Sequence, residues 1–289
     1  MLILFTDSDT DVTSAQAKEW NCRLISMPYE LDGKTVYPYV DFDKFDAHAF
    51  YDTLRSGKMS KTFGLSPENY KEYFEPEFEK GNDILYVHFS KAMTGTFDAM
   101  RLAIEELKEK YPDRKFYDID TKGITICSYN IVQEIAKMYN AGRTAEEILK
   151  WADAEVDKFA TYFYADDLKF FGRSGRISNF SAIMGGLLGI HPIICMGSDG
   201  KMTSISKARG RKASLNKLID YVAELQDDIY AHKVVIGHAD CIDIAKALGE
   251  MLQQRFANKL DIEYVEVNPT AGSHCGPDTV GVSFHAKHR

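Results

Sequence analysis

The sequence lacks the paired cysteines that would indicate a zinc site or a disulfide framework. Its five cysteines are scattered over 289 residues, and no two of them form a C-x-x-C pair. Positive charge is also scarce, because 35 Lys and Arg oppose 43 Asp and Glu, which gives a formal net charge of −8 at pH 7. A nucleic-acid-binding protein normally carries a basic excess, so we expect no nucleic-acid partner.

Long hydrophobic runs are missing as well. No apolar segment approaches the roughly 20 residues that a membrane-spanning helix requires. The first residues have neither the basic segment nor the small-residue cleavage site of a secretory signal. The phosphate-binding patterns G-x-x-x-x-G-K-[ST] and G-x-G-x-x-G are also absent. We therefore expect a cytoplasmic protein that has no membrane span and does not bind a nucleotide through these loops.

Hydrophobic patterning divides the chain into two halves. In the first half, buried-type strands such as Asp83–Phe89 alternate with amphipathic helices, and this alternation predicts a parallel sheet with crossover helices. In the second half, His191–Met196 and Lys201–Lys207 flank a Gly-Ser-Asp-Gly turn, which predicts an antiparallel hairpin. We therefore expect an α/β protein of two domains, residues 1–159 with a parallel sheet and residues 160–289 with a largely antiparallel sheet.

Two polar segments follow predicted strands of the first half. In an open parallel sheet, ligands bind beyond the carboxyl ends of the strands, and Asp7–Thr13 and Ser90–Thr96 occupy such positions. The second segment ends in Thr94-Gly95-Thr96, at the start of a helix whose free N–H groups favour an anion. The alternative is that Thr94 or Thr96 only caps its own helix.

Three further segments carry basic or titratable side chains. They are Phe170–Ser178, with Arg173 and Arg176 between glycines; the basic cluster Lys207–Lys212; and Gly272–Pro277, a rigid turn that carries His274 after the last predicted strand. Each could bind an anion or an acidic partner. Each also has a purely structural interpretation, as a turn, a solvated helix start or a structural histidine.

Taken together and in order, the motifs resemble those of the DegV family. They are Asp7-Ser8-Asp9-Thr10-Asp11, Ser90-Lys91-Ala92-Met93-Thr94-Gly95-Thr96, Gly172-Arg173-Ser174-Gly175-Arg176-Ile177-Ser178, Lys207-Ala208-Arg209 and His274-Cys275-Gly276-Pro277. They span nearly the whole chain. The resemblance implies two α/β domains that hold a fatty acid between them. It also implies a separate fatty-acid kinase, which phosphorylates the acyl carboxylate that this protein presents.

The resemblance also implies roles for individual residues. The residues expected around the carboxylate are Thr62, Thr94, Gly95, Arg209 and His274, and those expected to help dock the kinase are Arg173 and Arg176. No metal or redox cofactor is implied, so the expected small molecule is a bound long-chain fatty acid. The chain departs from the family pattern at Thr94, where Ser is usual, and at Asp278, where Gly is usual.

The acyl tail requires a dry apolar cavity, and one segment of the second half has the composition to line it. Phe180–Ile190 contains Ile183, Met184, Leu187 and Leu188 beside two glycines. Such a segment lines a cavity or simply belongs to the core.

The competing hypothesis is an enzyme, a magnesium-dependent phosphatase of the haloacid-dehalogenase type. A strand that ends in Asp-x-Asp would supply a nucleophile, Asp7, and a general acid and base, Asp9. Asp11 stands where that class has Thr, and the remaining motifs have no role in its mechanism. The structural alternative for the three acids is a polar turn before a helix N-terminus, which favours acidic residues.

Overall fold

The computed structural model describes residues 1–177 and 189–289, and it arranges their strands and helices in three β-sheets. The strands are β1 (Leu2–Asp7), β2 (Cys22–Ile25), β3 (Tyr29–Leu31), β4 (Lys34–Val36), β5 (Ser60–Thr62), β6 (Asp83–His88), β7 (Phe116–Asp120), β8 (Phe159–Tyr164), β9 (Ile190–Met196), β10 (Met202–Arg209), β11 (Val234–His238), β12 (Ile262–Glu266) and β13 (Val280–His285). The helices are α1 (Ser14–Glu19), α2 (Ala47–Arg55), α3 (Pro67–Glu79), α4 (Thr96–Lys110), α5 (Ile126–Asn140), α6 (Ala145–Glu155), α7 (Lys169–Ser174), α8 (Arg211–Leu225), α9 (Ile242–Arg255) and α10 (Pro269–Cys275).

The first half contains a four-stranded parallel sheet in the order β2-β1-β6-β7, which confirms the prediction. Successive side chains of a strand point to opposite faces, and β1 is apolar on both. Ile3 and Phe5 pack with α3 and α4 on one face. Leu4 packs with α5 and α6 on the other. Helices therefore cover both faces of this sheet, as expected for parallel strands.

The second half contains a six-stranded sheet in the order β10-β9-β8-β13-β11-β12. Every pairing in it is antiparallel except that of β11 with β12, so the prediction of a largely antiparallel sheet is confirmed. Helices α8 and α9 cover one of its faces. The fully buried strand β13 lies between β8 and β11. The prediction that His274 follows the last strand was therefore wrong.

Helix α5 lies between the two large sheets. It packs against β1 of the first sheet and against β8, β11 and β13 of the second. Ile126 opens it, and a Cβ at Gly237 would lie 2.6 Å from the Ile126 side chain, so this glycine permits the close approach of β11. Because the first residues of the helix are buried on every face, its start carries no amphipathic signal in the sequence. The domain boundary after residue 159 stays a prediction.

Two segments interpreted as turns are short helices in the structure. Residues 169–174 form α7, which ends at Gly175 with a φ of 64°. Residues 269–275 form α10, which places His274 in its last turn. Asn268 caps α10 by accepting the Ala271 N–H at 2.9 Å, and Pro269 opens its first turn. Helices of six and seven residues are too short to show a periodicity that a sequence could reveal.

A small antiparallel sheet, β4-β3-β5, packs against α10. The hairpin of β3 and β4 turns at Asp32 and Gly33, as the sequence predicts. Strand β5, which carries Thr62, pairs with β3 on its other side. This sheet therefore holds Thr62 beside α10.

Asn268 provides a test of what positions α10. Asp11 Oδ1 accepts the Asn268 backbone N–H at 2.9 Å and its Nδ2 at 2.7 Å, in addition to the cap. Asn268→Ala removes the cap and one buried hydrogen bond, so we expect the free energy of unfolding in urea to fall by about 2–4 kcal/mol. The matched control is Thr144→Ala, which removes only the capping box of α6 and should cost about 1 kcal/mol. Equal losses in the two variants would contradict a special role for Asn268.

Candidate functional site

The carboxyl ends of β1 and β6 are neighbours and bring two polar turns together. Asp7 ends β1, and its Oδ1 accepts the Asp9 backbone N–H at 3.0 Å, which caps a 3₁₀ turn at Ser8–Thr10. Ser90 follows β6 and donates to the Gly200 carbonyl at 2.8 Å, in the turn between β9 and β10. This edge of the parallel sheet therefore faces the second half of the chain.

Thr94 and Thr96 differ in what their hydroxyls do at the start of α4. Thr94 Oγ1 accepts the Thr96 N–H at 3.2 Å, so Thr94 closes a local turn and also borders a cavity. Thr96 Oγ1 accepts the Leu65 N–H at 2.8 Å and lies 3.2 Å from the Tyr70 hydroxyl. Thr96 thus fixes the segment after β5 against α4, and Thr94 keeps its side chain at the cavity.

A polar cavity lies at this edge, with about 530 Å³ of space that is partly open to solvent. Thr62 and His274 line it, and Thr62 Oγ1 and His274 Nε2 are hydrogen-bonded at 2.9 Å. The other polar side chains that line it are Asp9, Thr94, Thr96, Arg176 and Thr270. Hydroxyls, an imidazole and a guanidinium are the groups that bind an anion.

The ring of His274 is neutral near pH 7. Burial and, to a smaller extent, the positive charge of Arg176 together lower the pKa of His274 to about 4. A neutral imidazole has one N–H donor and one acceptor nitrogen. His274 can therefore hydrogen-bond a polar head group without bringing a charge of its own.

An apolar cavity of about 610 Å³, also partly open to solvent, adjoins the polar one. The first half of the chain contributes Met93 and the start of α5 to its lining. From the second half, its apolar lining includes Phe163, Phe171, Met196, Met202 and Val267.

The two cavities share part of their lining, so they are parts of one site. The shared residues are Met93, Ile124, Arg176, Ala271 and His274. The apolar part lies against the six-stranded sheet and the start of α5, and the polar part lies against α10 and beside the turns that follow β1 and β6. The combined site therefore has an apolar part and a polar end.

The structure brings together three of the five residues expected around a carboxylate. Thr62, Thr94 and His274 line the polar cavity. Gly95 is the exposed residue before α4, and Arg209 is exposed at the end of β10. Neither Gly95 nor Arg209 lines either cavity.

The two arginines expected to dock a partner lie in different surroundings. Arg173 is exposed on α7 and contacts Met59. Arg176 lines both cavities, although much of its side chain is exposed. Both arginines also line an outer groove that includes Lys61, Thr62 and His274. The outer groove therefore continues from the polar cavity to the surface.

Several site residues escaped the sequence analysis. Thr270 of the polar cavity was not connected with a ligand, and the family resemblance assigned Arg176 to docking rather than to the carboxylate. The apolar lining by Met196 and Met202 was hidden in an ordinary hairpin pattern. The segment Phe180–Ile190, predicted to line a cavity or to form core, lies outside the described residues except for its last two positions. The sequence did carry one signal of this lining. Met196 and Met202 flank the predicted hairpin turn, and that turn accepts a hydrogen bond from Ser90 in the structure.

The arrangement of Asp7 does not favour the phosphatase hypothesis. Asp7 is fully buried, and its Oδ2 accepts the Tyr86 hydroxyl at 3.0 Å and the Phe89 N–H at 3.2 Å. Its Oδ1 is occupied by the Asp9 N–H. Burial raises the pKa of Asp7 to about 6. A carboxylate that is inaccessible and fully bonded in this way is a structural group rather than a nucleophile.

Within residues 1–177 and 189–289, one group of side chains has the spacing of metal ligands: His48, Asp52 and Asp240, on the surface and away from this site. Arg55 donates to both carboxylates of this group, so a positive charge already lies against them. Each of the five cysteines, all within these ranges, is a free thiol. The helices in the described part of the chain are too short or too polar to span a membrane.

These features define an α/β protein whose candidate ligand site is an apolar cavity with a polar end. The sequence matches the model of the DegV family, described as an uncharacterised protein family, over residues 1–287. The chain therefore belongs to the DegV family. A DegV domain-containing protein of Clostridium perfringens is 31% identical over 283 residues, which cover 98% of this chain and 96% of that protein.

Solved structures of the family share the fold. A fatty acid (stearic acid)-binding protein of Eubacterium ventriosum has a TM-score of 0.87 at 20% identity, and the match covers 99% of both chains. A DegV family protein of Eubacterium eligens, loaded with heptadecanoic acid, has a TM-score of 0.84 at 22% identity. That match covers 99% of this chain and 100% of the other.

The electrostatics of His274 can be tested by NMR. We expect its ring to titrate with a midpoint near pH 4 instead of 6.5, because burial and Arg176 lower its pKa. Arg176→Gln should raise the midpoint toward the ordinary value, whereas Arg173→Gln should leave it unchanged. The exposed His48 is an internal reference, because its bond to Asp240 raises its pKa above the ordinary value. A midpoint for His274 at or above 6.5 would refute the neutral ring.

Proposed function

We propose that this chain binds a long-chain fatty acid between domains of residues 1–159 and 160–289 and presents the carboxylate to a separate cytoplasmic kinase. The tail occupies the apolar cavity and the carboxylate occupies the polar one. The kinase transfers a phosphoryl group to the carboxylate and forms an acyl phosphate. This chain acts as a carrier, and the phosphoryl chemistry belongs to the kinase.

The observation that carries the proposal is the continuity of an apolar cavity with a polar one. Burying a methylene contributes about 0.8 kcal/mol, so fifteen contribute roughly 12 kcal/mol before the costs of ordering the chain and the protein. Tight binding therefore needs no covalent or catalytic group. The two Eubacterium proteins bind saturated acids with long tails, stearic and heptadecanoic acid, which supports a ligand of the same class here.

The head group is assigned to residues that converge on the polar cavity. The hydroxyls of Thr62 and Thr94 and the neutral ring of His274 supply hydrogen bonds, and Arg176 supplies the positive charge. We assign the charge to Arg176 rather than Arg209 because Arg176 lines both cavities. Gly95 has open space around it, and it keeps the approach to Thr94 free of a side chain.

The kinase is proposed to dock over the outer groove. Thr62 and His274 line this groove as well as the polar cavity, so a carboxylate beside them is near the surface. Arg173 and Lys61 place two positive charges on its rim. Arg173 is the better docking residue of the two predicted arginines, because Arg176 also faces the ligand.

Extraction of the purified protein with a denaturing organic solvent, followed by mass spectrometry, tests the proposed ligand. We expect a stoichiometric long-chain fatty acid. Met196→Trp should shift the extracted acids to shorter chains, because a larger side chain fills part of the apolar cavity that Met196 lines. The matched control is Met251→Trp, which enlarges a partly buried residue of the α9 core and should leave the chain lengths unchanged. An empty wild-type protein that also fails to load with oleate or palmitate would refute fatty-acid binding.

Charge reversal at Arg173 tests the docking surface. In Arg173→Glu we expect normal fatty-acid content but at least about tenfold slower phosphorylation by a kinase that accepts the loaded wild-type protein, because rim charges govern encounter rates. The control is Arg143→Glu, a reversal on the exposed loop before α6. Normal turnover in Arg173→Glu would rule out this docking surface, and an empty pocket would show that Arg173 holds the ligand site together.

A further inference from the structure

Three acidic residues lie together, buried, at the end of β1. Asp7, Asp9 and Asp11 are each at most 4% exposed. The carboxyl of Asp7 accepts hydrogen bonds from Tyr86 and from two backbone N–H groups, and that of Asp11 accepts two from Asn268. These bonds give Asp7 and Asp11 structural roles.

Asp9 differs from both of its neighbours. It lines the polar cavity, together with Thr62, Thr94 and His274. Its Oδ1 is buried and has no hydrogen-bond partner among the described residues; the same holds for Asp11 Oδ2, but Asp11 does not line the cavity. A buried polar group without a partner is costly in a native protein. The fold therefore leaves an unsatisfied carboxyl at the place where a ligand head group would bind.

The hydroxyl that shares the cavity with Asp9 does not provide a partner for its buried oxygen. Thr270 lines the same cavity, but its hydroxyl donates to the Met27 carbonyl at 3.0 Å, and a hydroxyl has a single proton to donate. No donor among the described residues therefore stabilises a negative charge on Asp9 Oδ1. This geometry favours the neutral acid form of Asp9.

The charges around Asp9 favour the same form. The titratable groups that face it are Asp7 and Asp11 on its own segment, Tyr70 on α3, Tyr86 on β6, and His274 and Arg176 across the cavity. Burial, Asp7 and Asp11 all raise the pKa of Asp9 well above its ordinary value. Among the described residues of the polar cavity, Arg176 carries the one formal positive charge. One arginine cannot balance both an ionised Asp9 and a bound carboxylate.

We propose that Asp9 is a neutral carboxylic acid that donates a hydrogen bond to the carboxylate of the bound ligand, so that the two carboxyl groups share one proton. This inference rests on the proposed fatty-acid ligand. Two adjacent carboxyl groups commonly retain one proton between them, because both cannot ionise at close range without a large cost. Asp9 is then a specificity residue, since it favours ligands whose head group accepts a hydrogen bond.

The pH dependence of binding follows from this arrangement. While Asp9 is protonated, it is a donor to the ligand. As the pH rises through its pKa, Asp9 becomes an anion beside an anion, and affinity for the fatty acid falls. His274 is already neutral and Arg176 stays charged over that range, so neither produces the same loss.

Infrared spectroscopy and affinity measurements test the proposal directly. The probe is oleate labelled with ¹³C at its carboxyl carbon, bound to the full chain stripped of lipid. We expect the loaded wild-type protein to show the carbonyl band of a protonated carboxylic acid that Asp9→Asn lacks. Asp9→Ala should bind oleate about 10- to 100-fold more weakly, because it loses a hydrogen bond to a charged group. Asp9→Asn, whose amide still donates, should recover most of that loss and remove the decline in affinity at high pH.

A control variant and a measurement of oleate loading distinguish a failure of the Asp9 proposal from a failure of the proposed fatty-acid function. Asp98→Asn changes an exposed acid of α4 that lies outside the polar cavity, and it should behave as wild type. The proposal is overturned if Asp9→Ala binds labelled oleate as tightly as wild type. It is also overturned if the difference spectrum between loaded wild type and Asp9→Asn shows only an ionised carboxylate. If wild type takes up no labelled oleate at all, the fatty-acid function itself has failed. Should Asp9→Ala not fold, the wild-type and Asp9→Asn spectra and pH profiles decide the question.

Discussion

The site depends on the hydrogen bonds between the Asp11 carboxyl and Asn268, which join residues 257 positions apart in the chain. Helix α10 has seven residues, too few to be stable alone. Asn268 caps it and is itself held by Asp11, so the end of β1 determines where the helix begins. One turn later, the same helix places His274 against Thr62. A tertiary contact at one edge of the parallel sheet thereby sets the geometry of a cavity formed with the second sheet.

Burial then determines the chemistry of the polar cavity. The same loss of solvent that lowers the pKa of His274 to about 4 raises that of Asp9 well above its ordinary value. Both groups favour their neutral forms, so the cavity offers hydrogen bonds from groups that have little charge to desolvate. This suits a ligand whose affinity comes from its tail. Head-group contacts then fix orientation and separate acids from neutral lipids, and Arg176 alone needs to carry the compensating charge.

The sequence predicted the two large sheets because their strands and helices have clear apolar patterns, as in β6 and α4. It also predicted that Thr62, Thr94 and His274 converge, although that came from the family resemblance and not from periodicity. It missed α10, whose small and polar residues form a helix only through the Asp11–Asn268 contact. It interpreted Arg176 as a surface residue because the pairing of Ile177 with Met202, which turns this segment toward the cavity, connects distant parts of the chain. Such contacts have no local signature.

The order of the cavities along the site bears on whether a carrier or an enzyme is the better description. The apolar cavity lies against the six-stranded sheet, the polar cavity adjoins it beside the turns that follow β1 and β6, and the outer groove shares Thr62, Arg176 and His274 with the polar cavity. A ligand bound tail-first therefore has its head within reach of the surface. An enzyme that acted on the head would need its own nucleophile or base there, yet Asp7 is bonded on both oxygens and His274 is a weak base. A site that shields the tail and leaves the head near an exposed, positively charged rim is suited to chemistry performed by a second protein.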